Sequence, residues 1–110
     1  MESGYVRVAD KSEIPIGKIK KVMVQDKEIL VANVNGNFYA IGNVCTHQRG
    51  DLSQGMLEGN IVTCPKHKAK FDVTSGKVIS GPKMELFHPK IQDEPAYAIK
   101  TENTDKLIKI

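Results

Sequence analysis

Cysteine is scarce in this chain: its 110 residues contain two, Cys45 and Cys64. A small scaffold held by several disulfides is therefore excluded. Tryptophan is absent, and the three Tyr and three Phe fall mostly in apolar, strand-like runs. Arginine is nearly missing as well, with fourteen lysines against two arginines and a net charge of only +3. Nucleic-acid binders combine a larger positive excess with arginine and exposed aromatics, so that class is set aside. No apolar run approaches the roughly 18 residues of a membrane helix. The opening Met1-Glu2-Ser3-Gly4-Tyr5-Val6-Arg7 lacks the apolar centre of a signal peptide. A cytoplasmic protein with no membrane segment is the expectation. A nucleotide-binding glycine loop, a nucleophile–base pattern and internal repeats are missing too.

What is present is a succession of short strand-like runs separated by turn residues, with no sustained helical period. Residues 5–9 predict a first strand, and 10–14 a helical turn that Pro15 ends. Residues 18–24 and 28–33 read as an antiparallel pair turning at 25–27. Asn35-Gly36 is the strongest hairpin signal, because a type I′ turn needs positive φ at both central positions. It joins 29–34 to 37–41. Further strands are expected at 61–63, 70–73 and 77–79, with a final hairpin from 97–101 and 106–110. Val6, Val8, Ile19, Ile29, Val31, Phe38, Ile41, Ile61, Phe71, Ile99 and Ile108 are the expected core. The chain is all-β and long enough for one domain with a modest core.

The chemistry is concentrated in Cys45-Thr46-His47 and, sixteen residues later, Cys64-Pro65-Lys66-His67. A single CxH or CxxH is weak evidence. Two together, using both cysteines and two of the three histidines, make a metal centre the leading reading. Thiolate and imidazole ligands suit tetrahedral zinc or an iron–sulfur centre and disfavour calcium and magnesium, which prefer oxygen. A Cys45–Cys64 disulfide is the bland alternative. His88, next to Pro89 and outside both motifs, reads as a surface histidine.

The contexts narrow the choice. Cys45-Thr46-His47 is followed by Leu52, and Cys64-Pro65-Lys66-His67 by Phe71-Asp72, Gly76 and a later Gly81-Pro82. This pattern resembles the Rieske family, and the resemblance runs from Tyr5 to Ile110 in the order and length of a stand-alone Rieske ferredoxin. It implies an antiparallel β-sandwich with a cluster-binding subdomain of two projecting loops, formed by about 42–83 of a single 1–110 domain. It also implies one 2Fe–2S cluster, with Cys45 and Cys64 on one iron and His47 and His67 on the other. Neutral imidazoles leave such a centre less negative than an all-cysteine one, so its potential lies higher, at roughly −150 to +300 mV.

Departures from the respiratory branch of that family are informative. Its additional cysteine pair is replaced by Gly50 and Lys66, so no bridge can link the loops. Its hydroxyl donors to the sulfurs are replaced by Ala69 and Phe71, which predicts a potential at the low end of the range. Gln48 and Arg49 add bulk where the family is often glycine-rich, leaving Gly50 for close backbone approach. Gly81-Pro82 falls where a loop often covers the cluster.

Arg49, Lys66, Lys68 and Lys70 adjoin the histidine motifs, with Asp51 and Asp72 as partial counterweights. Alternation with Ala69 and Phe71 places Lys68 and Lys70 on one face, expected to be exposed. A basic rim would steer an acidic redox partner; an ordinary solvated face is the plainer explanation. The resemblance thus implies a monomeric one-electron carrier rather than an enzyme. Its partners would be a ferredoxin reductase and a terminal oxygenase or other oxidoreductase, with no nucleic-acid or membrane partner. The chain is too short to add an oxygenase's catalytic iron domain. Two alternatives stay open: a structural zinc module, and a permanently bound small subunit of a nitrite-reductase-like oxidoreductase.

Overall fold

The computed structural model describes residues 5–44, 51–65, 69–80 and 93–109. Its strands are β1 (Tyr5–Asp10), β2 (Ile19–Val24), β3 (Lys27–Val34), β4 (Asn37–Gly42), β5 (Met56–Glu58) and β6 (Ile61–Thr63). They continue as β7 (Lys70–Asp72), β8 (Val78–Ser80), β9 (Ala96–Tyr97), β10 (Ile99–Glu102) and β11 (Asp105–Lys109). Single 3₁₀ turns occupy Lys11–Glu13 and Leu52–Gln54. The strands form three sheets, ordered β1-β11-β10, β2-β3-β4-β9 and β5-β6-β7-β8. Every strand pair is antiparallel.

The middle sheet is apolar on both faces, and β3 explains why. Ile29, Leu30, Val31 and Ala32 are each 0% exposed. Successive side chains of a strand point to opposite faces. Ile29 and Val31 therefore join Ala9, Ile14, Val22, Val24, Ala40 and Ile108 in a core shared with the first sheet. Leu30 and Ala32 join Ile41, Leu52, Val62, Cys64, Ala69, Phe71 and Val73 in a second core shared with the third sheet. An unbroken apolar run is what a strand between two layers requires.

Turn chemistry fixes the strand register. Asn35 and Gly36 have φ of 54° and 93°, as the Asn-Gly signal predicted. The β2–β3 connection is one residue shorter than expected, since Lys27 already pairs with Val24 and Gln25 takes a φ of 57°. At the final hairpin Asn103 has φ 58°, and Glu102 pairs with Asp105. Asp10 caps the first 3₁₀ turn by accepting from the Ser12 N–H at 2.9 Å, while Glu13 accepts from the Asp10 N–H at 2.9 Å.

Two expected core residues lie outside both cores. Val6 pairs with Ile108, so they share a face, yet Val6 is 39% exposed and Ile108 0%. The difference is position: β1 is an edge strand and β11 a central one. Ile61 is half-buried because alternation gives the inward place on β6 to Val62.

One strand escapes the sequence reading, and the strand expected over 97–101 is split between two sheets. Met56–Glu58 forms β5, pairing with β6 across a turn where Gly59 has φ 63°. Ala96–Tyr97 forms β9 on the edge of the middle sheet, after which the chain crosses to β10 in the first. Just before β9, residues 93–95 lace the middle and third sheets together. Gly42 N–H donates to the Pro95 carbonyl at 2.9 Å, and Glu94 N–H to that of Gly76 at 2.7 Å. Val78 N–H donates to Asp93 Oδ1 at 2.8 Å. A Cβ on Gly76 would lie 2.1 Å from the Glu94 carbonyl oxygen, so only glycine fits there.

Candidate metal centre

The described residues include the stems of both motif-bearing loops. Cys45, His47, Arg49, Gly50, Lys66, His67, Lys68, Gly81 and Pro82 lie outside the described residues, as does His88. Cys64, Ala69, Lys70 and Phe71 lie within them.

The first stem grows from the end of β4. Val44 and Asp51 form an isolated antiparallel bridge, and Leu52 N–H donates to the Asn43 carbonyl at 2.9 Å. The chain thus leaves at 44 and returns at 51 to adjacent positions. Below the bridge, Asn43 is fully buried. Its Nδ2 donates to Asp51 Oδ1 at 2.8 Å and to Glu28 Oε1 at 3.3 Å, and its Oδ1 accepts from the Ser53 N–H at 2.9 Å. Asp51 Oδ1 also accepts from the Ser53 N–H at 3.0 Å and from the Ser53 hydroxyl. Burial opposes ionisation of Asp51, but hydrogen bonds from Ser53 and Asn43 prevail and hold its carboxyl below the usual carboxylate pKa. This carboxylate therefore points into the loop base.

The second stem closes more tightly. Cys64 N–H donates to the Ala69 carbonyl at 2.7 Å, tying the two ends of the 65–68 segment together. Cys64, Ala69 and Phe71 are each 0% exposed and pack with Leu52 and Val62. Among the described residues Cys64 takes part in no disulfide. At the end of β7, Asp72 caps the turn into β8 by accepting from the Thr74 N–H at 2.8 Å and from Asn60 Nδ2 at 3.1 Å.

Gly55 brings the stems together. It ends the 3₁₀ turn of the first stem, and a Cβ there would sit 1.8 Å from the carbonyl oxygen of Thr63, the residue before Cys64. Leu52, from the first stem, shares a core with Cys64 and Ala69 from the second. The roots of both motifs are thereby held side by side.

Beside Cys64 lies a cleft of about 460 Å³, bordered by Gln54, Gly55, Met56, Thr63, Pro65 and Lys70 among others. Lys70 is half-buried on its wall, less open than its place in the expected basic rim implied. A buried cysteine at the root of a short closed turn is chemically suited to bind a soft metal as thiolate.

Asn43, Ser53 and Gly55 were not anticipated as contributors to the site, and Asp51 was taken only as a charge. An Asp followed two residues later by Ser is a readable 3₁₀ or helix start. The Asn43–Glu28 contact joins distant positions and carries no local signature, and the Gly55–Thr63 contact follows from the β5–β6 hairpin that the sequence reading lacked.

Residues 4–95 match the family described as Rieske [2Fe-2S] domain. The ferredoxin component of the naphthalene 1,2-dioxygenase/salicylate 5-hydroxylase systems of Ralstonia sp. is 36% identical over 110 residues, covering 100% of this chain and 99% of that protein. The ferredoxin of carbazole 1,9a-dioxygenase from Nocardioides aromaticivorans IC177 superposes with a TM-score of 0.84 at 28% identity, covering 97% of this chain and 98% of that one. A chain in the complex of reduced oxygenase and oxidized ferredoxin in carbazole 1,9a-dioxygenase also matches, with TM-score 0.84 and 25% identity, covering 98% of this chain and 94% of that one. These relatives are electron carriers rather than catalytic subunits, and this protein is likewise an electron-transfer protein with a 2Fe–2S cofactor. A structural zinc module is thereby set aside. The chain belongs to the Rieske [2Fe-2S] domain family.

Proposed function

We propose that this protein shuttles single electrons from a ferredoxin reductase to a terminal oxygenase, with Cys45 and Cys64 holding one iron and His47 and His67 the other. Support comes chiefly from near-complete coverage of a dioxygenase-system ferredoxin, 99% of its length. That coverage favours a separate carrier over a permanently bound small subunit. The cluster, when bound, supplies a one-electron couple.

This chain's residues do the rest. Closely tied stems favour ligands that move little, which keeps electron transfer fast. Ala69 and Phe71 present no hydroxyl toward the second loop, which supports a potential low in the Rieske range. Gly50 and Lys66 stand in place of a bridging cysteine pair, and Gly81-Pro82 serve as the cover that excludes water. Arg49, Lys66, Lys68 and Lys70 form the docking rim for an acidic partner surface. The outer N–H edges of His47 and His67 are the electron exit. A single domain spans 1–110, with its cluster region at about 42–83. Among the described residues no helix is long and apolar enough to cross a membrane. A monomer in the cytoplasm is our reading.

Dithionite-reduced protein, purified anaerobically, should give the rhombic EPR signal of low average g that two histidine ligands produce. The reduced protein should then be reoxidised on mixing with an oxidised aromatic-ring dioxygenase. A colourless, EPR-silent protein containing one zinc would sink this reading.

A further inference from the structure

We infer that Asp51 is a positioning residue for the cluster, acting through the base of the loop that carries Cys45 and His47. The inference rests on the ligand assignment proposed above, since Cys45 and His47 lie outside the described residues. Its own foundation is geometric. Asp51 is the returning residue of the first loop, bridged to Val44 next to Cys45.

Three donors converge on one oxygen of Asp51: Asn43 Nδ2, the Ser53 N–H and the Ser53 hydroxyl. The other oxygen lies 3.5 Å from Lys21 Nζ on β2, and Lys21 is also 3.9 Å from Glu28 on β3. Asn43 completes the ring by donating to Glu28. The loop base is thus tied to two strands of the middle sheet and to the turn that delivers Gly55. Asn43 is buried and, among the described residues, its amide nitrogen donates to Asp51 at 2.8 Å and to Glu28 at 3.3 Å, so removing Asp51 takes away the shorter of these two bonds from a buried donor.

The charge itself contributes little. The Asp51 side chain is 34% exposed and faces Lys21, so solvent and a counter-charge both screen it. Acceptor geometry is therefore the working property, and it can be separated from charge by substitution. Asp51→Asn keeps an Oδ1 acceptor and drops the charge. Asp51→Ser keeps a cap for the Ser53 N–H without reaching Asn43 as an Asp does. Asp51→Ala removes both.

The test uses full-length, cluster-loaded protein. Iron loss to a chelator is timed well below the unfolding midpoint, and the EPR linewidth of the reduced protein is recorded alongside. Asp51→Ala should lose iron roughly tenfold faster, the scale on which supporting partners of metal ligands act, and its signal should broaden as ligand geometry spreads. Asp51→Asn should stay near wild type in both, and Asp51→Ser should fall between. A purely structural cap would lower thermal stability while leaving linewidth and subcritical iron loss unchanged. Wild-type behaviour of Asp51→Ala in both readouts overturns the inference, as does Asp51→Asn losing iron as fast as Asp51→Ala. Should Asp51→Ala not accumulate, Ser53→Ala removes one donor alone and must show the same broadening on a smaller scale. Wild-type protein without a rhombic signal overturns the ligand assignment as well, so the two failures are told apart.

Discussion

Replacing Gly55 by alanine should separate the two loop roots. Gly55 has φ −88° and ψ −162°, an extended conformation that any residue adopts, so backbone strain is not the issue. Space is. The added Cβ would lie 1.8 Å from the Thr63 carbonyl oxygen, 3.0 Å from its carbon and 3.3 Å from the Leu52 carbonyl oxygen. All three are backbone atoms, so no rotamer change relieves the clash. Overpacking that side chains can absorb costs about 1–3 kcal/mol, and here the upper figure applies. At about 4–8 °C per kcal/mol for a domain near this size, the unfolding midpoint should fall by roughly 12–24 °C. Gly36→Ala is the matched control. Its φ is +93° and nothing lies within 4 Å of the added Cβ, so only conformational strain of about 1–2 kcal/mol operates. Gly36 also sits at the far end of β4 from the cluster stem. Thermal unfolding and iron content of both purified variants make the comparison. Gly55→Ala should be the less stable and should hold less iron per folded molecule, whereas Gly36→Ala should keep a full complement. A Gly55→Ala midpoint within about 2 °C of wild type, with full iron, would refute the claim that this contact spaces the stems.

Other expectations follow from single groups. Asp10 has its carboxyl lowered to about 2, by hydrogen bonds from the Ser12 hydroxyl, Thr104 and the Ser12 N–H. A depressed folded-state pKa contributes stability above the unfolded value near 3.8 and loses it as pH falls toward 2. The stability gap between wild type and Asp10→Ala in urea should therefore close between pH 4 and 2, and a constant gap would contradict the hydrogen-bond assignment. Phe71→Ala empties a fully buried position beside Cys64 and should cost about 3–5 kcal/mol, read as a lower denaturation midpoint. Ala69→Ser supplies a hydroxyl near the second loop and should raise the reduction potential; an unchanged or lower midpoint in voltammetry would count against a hydrogen bond to sulfur. The wild-type potential should vary little near neutral pH, and a steep fall at pH 7 would show ligand imidazole deprotonation already under way.

Much of this molecule was legible in short stretches of chain. Asn35-Gly36 specified a tight turn because its backbone angles are a local property of those two residues. The two Cys-x-His and Cys-x-x-His spacings, with their neighbouring residues, pointed to the family because a ligand loop is compact in sequence. The helical turn over 10–14 was readable for the same reason, though its capping by Asp10 and Glu13 was not read from the sequence. Ile29 and Val31 were legible as core, but not Leu30 and Ala32, which are buried because their face of β3 meets a second layer.

Tertiary structure decided everything that depends on which distant segments meet. β5 lacks strand-like residues and exists because β6 offers it a partner. Val6 and Ile108 are both apolar and directly paired, and only strand order exposes one and buries the other. Asn43 meets Glu28 through packing that no local propensity encodes, and Gly55 meets Thr63 once β5 has paired with β6. Local sequence set the type of ligand and turn, because those are properties of a few consecutive residues. The spacing of the two loop roots came from the folded core, because only close packing brings backbone atoms of separate segments within van der Waals reach.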